Sequence, residues 1–194
     1  MTAGRSSSRA PAGRLGRPFF ERPTVEVARA LLGARLSVDS SAGRRTARLV
    51  ETEAYVTGDP ASHAFLGPTR RNLAMFGLPG TVYVYPIHQV VCANLVTLPG
   101  EAVLLRAAQP LFDAGVNLSG PGRLCRGLGI TVRDNGEDAT LGRRFGLEVG
   151  APPPERVVSG PRVGIRRAVR RRLRFALDGD SYVSRPRPPA GRRS

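Results

Sequence analysis

Apolar and polar positions along the chain change period several times, and those changes lay out the elements. After an Arg- and Ser-rich start, Val25, Ala28, Leu31 and Leu32 recur at helical spacing. Thr24 stands at the N-cap position and Gly33 at the C-terminal end, so a helix is predicted over about 25–32. The period then falls to two: RLSVDSSAGRRTARLVETEAY reads as strand, Ser/Gly turn, strand. Residues 56–80 are rich in Gly and Pro and read as loop. A second hairpin follows, TVYVY–PIHQ–VVCANLVT, and EAVLLRAAQ supplies another strand. SGPGRLCRGLGI predicts a short helix opening after Ser119, and RDNGEDATL reads as a polar loop. Strands near 145–149, 156–166 and 172–178 complete a single α+β domain without internal repeats. Residues 1–17 read as a disordered basic arm and 185–194 (RPRPPAGRRS) as a disordered basic tail, which leaves 18–184 as the folded domain.

Composition narrows the partners. The 194 residues carry 30 basic and 15 acidic side chains, a net charge of +15, and every basic residue is Arg. An excess of this size favours an anionic partner, nucleic acid before a membrane surface. Without lysine, Schiff-base chemistry is left only to the N-terminal amine. Cys92 and Cys125 lie in separate apolar segments and, with only His63 and His88, match no zinc spacing, so no metal is expected. They read as buried free thiols in a reducing compartment. No stretch approaches the roughly 18 apolar residues of a membrane helix. The N-terminus lacks the apolar core of a secretory signal, which points to a cytoplasmic protein.

Three segments carry candidate chemistry. In ARLVETEAY, strand alternation puts Glu51, Glu53 and Tyr55 on one face with Leu49. Two carboxylates there are solvated, as on an edge strand, or else paired and functional. In PGTVYVYPIHQVVCANLV, Tyr83 and Tyr85 share a face, an arrangement that packing alone would also produce. In AVLLRAAQP, Arg106 interrupts an apolar strand and needs a partner, for which Glu53 is available.

Together these segments resemble the alkyladenine (3-methyladenine) DNA glycosylase family. The likeness is carried in order by LVETEAY (49–55), DPASHAFLGPTRRNLAMF (59–76), PGTVYVY (79–85), CAN (92–94), VLLRA (103–107), SGPGRLC (119–125), and PRVGI followed by LRF. It spans residues 17–184, and the separations of ETEAY, SH-F-GPT-RN and Y-VY are the specific part. The resemblance implies a curved, mostly antiparallel sheet with flanking short helices and a protruding, DNA-facing hairpin. It implies removal of alkylated purines from duplex DNA by a cofactor-free monomer, with 3-methyladenine as the first substrate. Further candidates are 7-methylguanine, hypoxanthine and ethenoadenine, although no acid is visible to assist a neutral leaving base.

By the same resemblance, Glu53 is the general base that holds the attacking water, helped by Arg106 and the backbone carbonyl of Val163. Arg106 is expected to lower the Glu53 pKa. Tyr55, His63 and Tyr85 form the pocket for a flipped base, and Asn94 excludes guanine by meeting its exocyclic amine. Thr69, Arg71 and Asn72 are expected at the phosphates. The family's Tyr-Gly-Met-like hairpin tip is replaced by Pro86-Ile87-His88-Gln89, so His88 or Ile87 would be the wedge that fills the space left by the base. RRAVRRRLR (166–174) reads either as a phosphate track or as a solvated basic face. Two other classes fit the charge: a non-catalytic nucleic-acid-binding protein on the same scaffold, and a hydrolase of free nucleosides or RNA.

Overall fold

The computed structural model describes residues 13–41, 43–87, 89–150 and 155–189; His88 and most of both basic termini lie outside the described residues. The chain forms a curled antiparallel sheet with few short helices, as its α+β pattern predicts. In chain order the elements are α1 (Arg17–Phe20), α2 (Thr24–Ala30), β1 (Arg35–Ser40), β2 (Gly43–Tyr55), β3 (Val82–Ile87), β4 (Val90–Val96) and β5 (Ala102–Pro110). They are followed by α3 (Pro121–Leu128), β6 (Phe145–Glu148), β7 (Val157–Gly160) and β8 (Arg174–Leu177).

Strand β2 organises the sheet. Its first half pairs with β1, its second half pairs with β8 on that same side, and β5 runs along its other side. The pairing with β5 shifts register around Glu51, and a bulge of this kind bends a strand and increases its twist. The remaining order runs β3-β4-β5-β2-β1-β6, with β7 outside β8. Because β2 is interior, Glu51 and Glu53 are fully buried rather than on an edge face. Thr52, on the opposite side of the pleat, donates to the carbonyl of Ala28 in α2 (2.8 Å). Helix α2 therefore covers the face away from the two carboxylates. Leu31, Leu36, Leu49, Leu105, Leu124, Phe145 and Phe175 fill the core, with α3 packed over β4 and β5.

Several expectations change. Thr24 is the first residue of α2 rather than its cap, because its hydroxyl turns inward to the Thr97 hydroxyl (2.7 Å) and the Glu101 carboxylate. Strand β3 continues through Pro86 and Ile87, which pair with Val91 and Val90, so these two expected tip residues belong to the strand. Pro86 is tolerated because β3 ends the sheet path and needs no second ladder partner. The strand expected over 156–166 stops at Gly160, before Pro161, which has no N–H to donate. Residues 13–17, placed in the basic arm, lie against β6: Leu15 donates to the Leu147 carbonyl (2.8 Å) and is buried. Among residues 185–189, Pro188 lies beside Gly160. Both cysteines are buried and unpaired.

Candidate active site

Glu53 is held from three directions. The Val163 N–H donates to its Oε1 (2.9 Å), the Tyr55 hydroxyl donates to its Oε2 (3.0 Å), and Arg106 Nη1 lies 3.4 Å from Oε1. The atom of Val163 that meets Glu53 is thus its amide. Burial pushes the Glu53 carboxyl above the ordinary carboxylate range, against the opposing pull of Arg106, the Val163 amide and the Tyr55 hydroxyl. The expected lowering by Arg106 is present but outweighed by desolvation in the sheet. A carboxylate in this state is a stronger base than one in water.

Behind it, Glu51 ties the scaffold. Its Oε1 accepts from Arg106 Nε (2.9 Å), Arg174 Nε (2.5 Å) and the Ser184 hydroxyl (3.1 Å), and its Oε2 accepts from the Ser184 N–H (2.7 Å). Arg106 bridges the two carboxylates, so each buried negative charge has a guanidinium. The requirement that an Arg in an apolar strand find an acid is met twice, and Glu51 is the closer of the two.

A second buried pair lies under Tyr55. Arg162 and Asp59, both with fully buried side chains, are joined by two hydrogen bonds, one of 3.0 Å. Arg162 also donates to the Ala54 carbonyl (3.0 Å), and its guanidinium sits 4.5 Å from the centroid of the Tyr55 ring.

In front of these groups opens a cavity of about 490 Å³ lined by Tyr55, His63, Tyr83, Tyr85, Asn94 and Arg106 among others. That volume lies within the usual range for small-molecule pockets. The His63 and Tyr85 rings meet edge-on at 4.2 Å, and His63 Nδ1 lies 3.0 Å from the Tyr83 hydroxyl. Burial lowers the His63 pKa, which keeps the imidazole neutral at pH 7. Burial pushes the Tyr83 phenol up to about 12 and those of Tyr55 and Tyr85 higher, so all three stay protonated. Asn94 Nδ2 donates to the Tyr83 carbonyl (3.0 Å), which fixes the amide in the wall.

The structure thus brings Glu53, Tyr55, His63, Tyr85, Asn94, Arg106 and Val163 to one site. Ile87, 41% exposed, stands at the cavity rim. His88 is outside the described residues. Asn72 is buried and works within its own loop. It donates to the carbonyls of His63 (2.8 Å) and Gly67 (3.1 Å), and it accepts from the Thr69 amide and hydroxyl. Its contacts therefore set the backbone beneath His63, while Arg71 is exposed. The 166–174 cluster divides: Arg166 and Arg167 line the cavity, Arg170, Arg171 and Arg172 are exposed, and Arg174 is buried on Glu51.

Sequence reasoning did not assign Glu51, Arg174, Ser184, Asp59 or Arg162 to the site. Arg162 precedes Val163 in PRVGI, and its place inside that motif is the signal that could have found it. No group of three metal-ligating side chains occurs among the described residues.

Residues 18–181 match the family model described as methylpurine-DNA glycosylase. A Rhizobium etli protein with the provisional name 3-methyladenine DNA glycosylase is 43% identical over 96% of both chains. Proteins with the same provisional name are 48% identical in Anaeromyxobacter dehalogenans strain 2CP-1 (91% of this chain, 88% of the relative) and 43% identical in Methanoculleus marisnigri (86% and 96%).

Proposed function

The chain belongs to the methylpurine-DNA glycosylase family, and from that premise we propose that it excises alkylated purines from duplex DNA, 3-methyladenine first, with Glu53 as the base. The observation that carries this reading is the buried Glu53 carboxylate gripped by Tyr55, Val163 and Arg106, all of which line the cavity.

A base inside the duplex cannot reach such a cavity, so the nucleotide must rotate out and stack between Tyr55 on one side and His63 and Tyr85 on the other. Stacking on an aromatic contributes about 1–3 kcal/mol per base. N3- and N7-alkylated purines carry positive charge, which the ring faces favour and which makes them good leaving groups. A neutral His63 and un-ionised phenols suit this, because the walls then add no cation to repel the base.

Glu53 would take the proton of a water aimed at C1′ while positive charge grows on the sugar, as in inverting glycoside hydrolysis. The water would sit where Glu53, Arg106 and the Val163 carbonyl meet. General-base assistance is worth about 10²–10⁴-fold. The Asn94 amide would clash with the exocyclic amine of guanine. With no lysine in the chain, the product is an abasic site with an intact backbone. Thr69, Arg71 and Arg166 would meet phosphates, and Ile87 or His88 would occupy the vacated space in the duplex. The protein would act as a monomer, in the cytoplasm and on the nucleoid.

The test is single-turnover release of base from a duplex with one 3-methyladenine. Release by the wild type and its loss in Glu53→Gln support the reading. Tight binding with no release by either protein refutes it in favour of a non-catalytic binding protein.

A further inference from the structure

A second cavity, of about 680 Å³, adjoins the first at Arg106. Arg106 lines both cavities, so the two share a guanidinium as a wall. Arg123, Arg185 and Arg187 also line the second one, and no carboxylate does. Arg185 and Arg187 make no ion pair with another described residue. Arg123, in the first turn of α3, reaches only the Ser119 carbonyl at 3.4 Å. With Arg106 already paired to Glu51 and Glu53, three further guanidinium groups around one polar cavity still repel one another unless an anion sits among them.

This cavity is built rather than accidental. Its wall at residues 181–187 is pinned by Ser184, whose N–H and hydroxyl bind Glu51 and whose carbonyl accepts from Arg174 Nη2 (2.9 Å). All of these groups are buried. Glu51 in turn holds Arg106. The same buried network therefore fixes the shared Arg106 and the segment that delivers Arg185 and Arg187. Burying so many charges is costly unless the geometry they hold is useful.

We propose that the second cavity is a phosphate-binding subsite that grips a backbone phosphodiester of the strand carrying the flipped nucleotide, with Arg185 and Arg187 as its principal contacts. The assignment rests on the glycosylase reading of the first cavity. A nucleotide whose base enters the first cavity carries a phosphodiester on either side of its sugar. Arg106, at the boundary, marks where the sugar must lie between base and phosphate. The C-terminal segment thus becomes part of the substrate site, and its arginines hold the extruded nucleotide by its backbone.

The experiment is duplex binding as a function of salt, with undamaged and lesion-bearing DNA, by the full chain and by Arg185→Gln, Arg187→Gln and the double variant. Arg22→Gln, in the turn before α2 on the opposite face of the sheet, is the charge-matched control. Each site variant is expected to reduce the slope of log K against log salt by about 0.9, with no change for the control. Single methylphosphonates are then placed at the phosphates flanking the lesion. One position is expected to weaken wild-type binding and leave the double variant unaffected, the non-additivity that identifies a direct contact. Unchanged slopes, or no position that couples to the arginines, overturn the proposal. Calorimetry with inorganic phosphate separates the sources: phosphate binding lost in the double variant, without methylphosphonate coupling, assigns the cavity to a free anion and overturns the backbone assignment. Binding is read without turnover, so failure of base release would refute the glycosylase reading while this measurement still stands.

Discussion

Replacing Arg162 by Met leaves Asp59 as a buried carboxylate without its cation. Both side chains are fully buried, so solvent screening is slight and the loss of one partner should cost about 3–5 kcal/mol. That is a large part of the 5–15 kcal/mol typical of a domain. The variant Arg162→Met/Asp59→Asn removes both charges and keeps an acceptor for the Ala61 N–H (3.1 Å), so it should recover most of the stability. The rate should not recover with it. Arg162 sits against the Tyr55 ring, donates to the carbonyl of Ala54 and precedes Val163, so its loss loosens two of the three groups that hold Glu53. Misplacement by about 1 Å is enough to cost 10²-fold. Urea unfolding and single-turnover base release on the same preparations separate the two effects. Burial raises the Asp59 pKa, but the Arg162 hydrogen bonds, the Ala61 amide and nearby arginines outweigh it and bring it below the ordinary value. With the folded pKa below the unfolded one, the pair stabilises at neutral pH and its contribution disappears as pH falls through the folded pKa. The stability difference between wild type and the double variant should close on acidification. A double variant with wild-type rate would refute the positioning argument. A single variant destabilised by less than about 1 kcal/mol would refute the account of the buried pair.

Four further outcomes concern the same site. Glu53→Gln should abolish base release and also stabilise the fold at neutral pH. The folded pKa of Glu53 is raised, so its stabilising contribution is full below about 4.3 and lost as pH rises through the folded value; denaturant melts of the two proteins should converge at low pH and separate above it. The acidic limb of the wild-type rate profile should correspondingly lie above the ordinary glutamate range. Glu51→Gln should cost about 3–5 kcal/mol by leaving Arg174 buried with its charge unmatched, and should speed hydrogen exchange at the Ser184 amide. Asn94→Ser should permit release of normal guanine from undamaged duplex; no detectable release would remove Asn94 from the discrimination.

Local periodicity was enough to find the strand that carries Glu53 and Tyr55, since alternation alone separates Thr52 from its neighbours. It could not say whether that strand was interior. The partners that make it so, β5 and β8, lie about 50 and 120 residues away in sequence, and nothing in ETEAY specifies them. The same distance hid Glu51. Its partners Arg106, Arg174 and Ser184 come from three separate segments, two of which read as a basic face and the edge of a tail. Thr24 shows the converse failure, because a residue with the right identity and position for a cap found better partners in Thr97 and Glu101 once the fold had closed.

What decides the chemistry is the placement of a few negative charges in a chain dominated by arginine. Three of the fifteen acidic residues, Glu51, Glu53 and Asp59, are fully buried on or just after one strand. Each recruits an arginine into the interior: Arg174 and Arg106 to Glu51, Arg106 to Glu53, Arg162 to Asp59. Glu53 has no arginine except the one it shares with Glu51, and burial raises its pKa. Its incomplete compensation is the physical basis for assigning it the proton-accepting step. Better-paired Glu51 and Asp59 hold the scaffold, and the poorly paired carboxylate behind the cavity-lining Tyr55, Arg106 and Val163 keeps the basicity. An added cation near Glu53 would stabilise the fold and lower the rate, the direction in which stability and activity here must trade against each other.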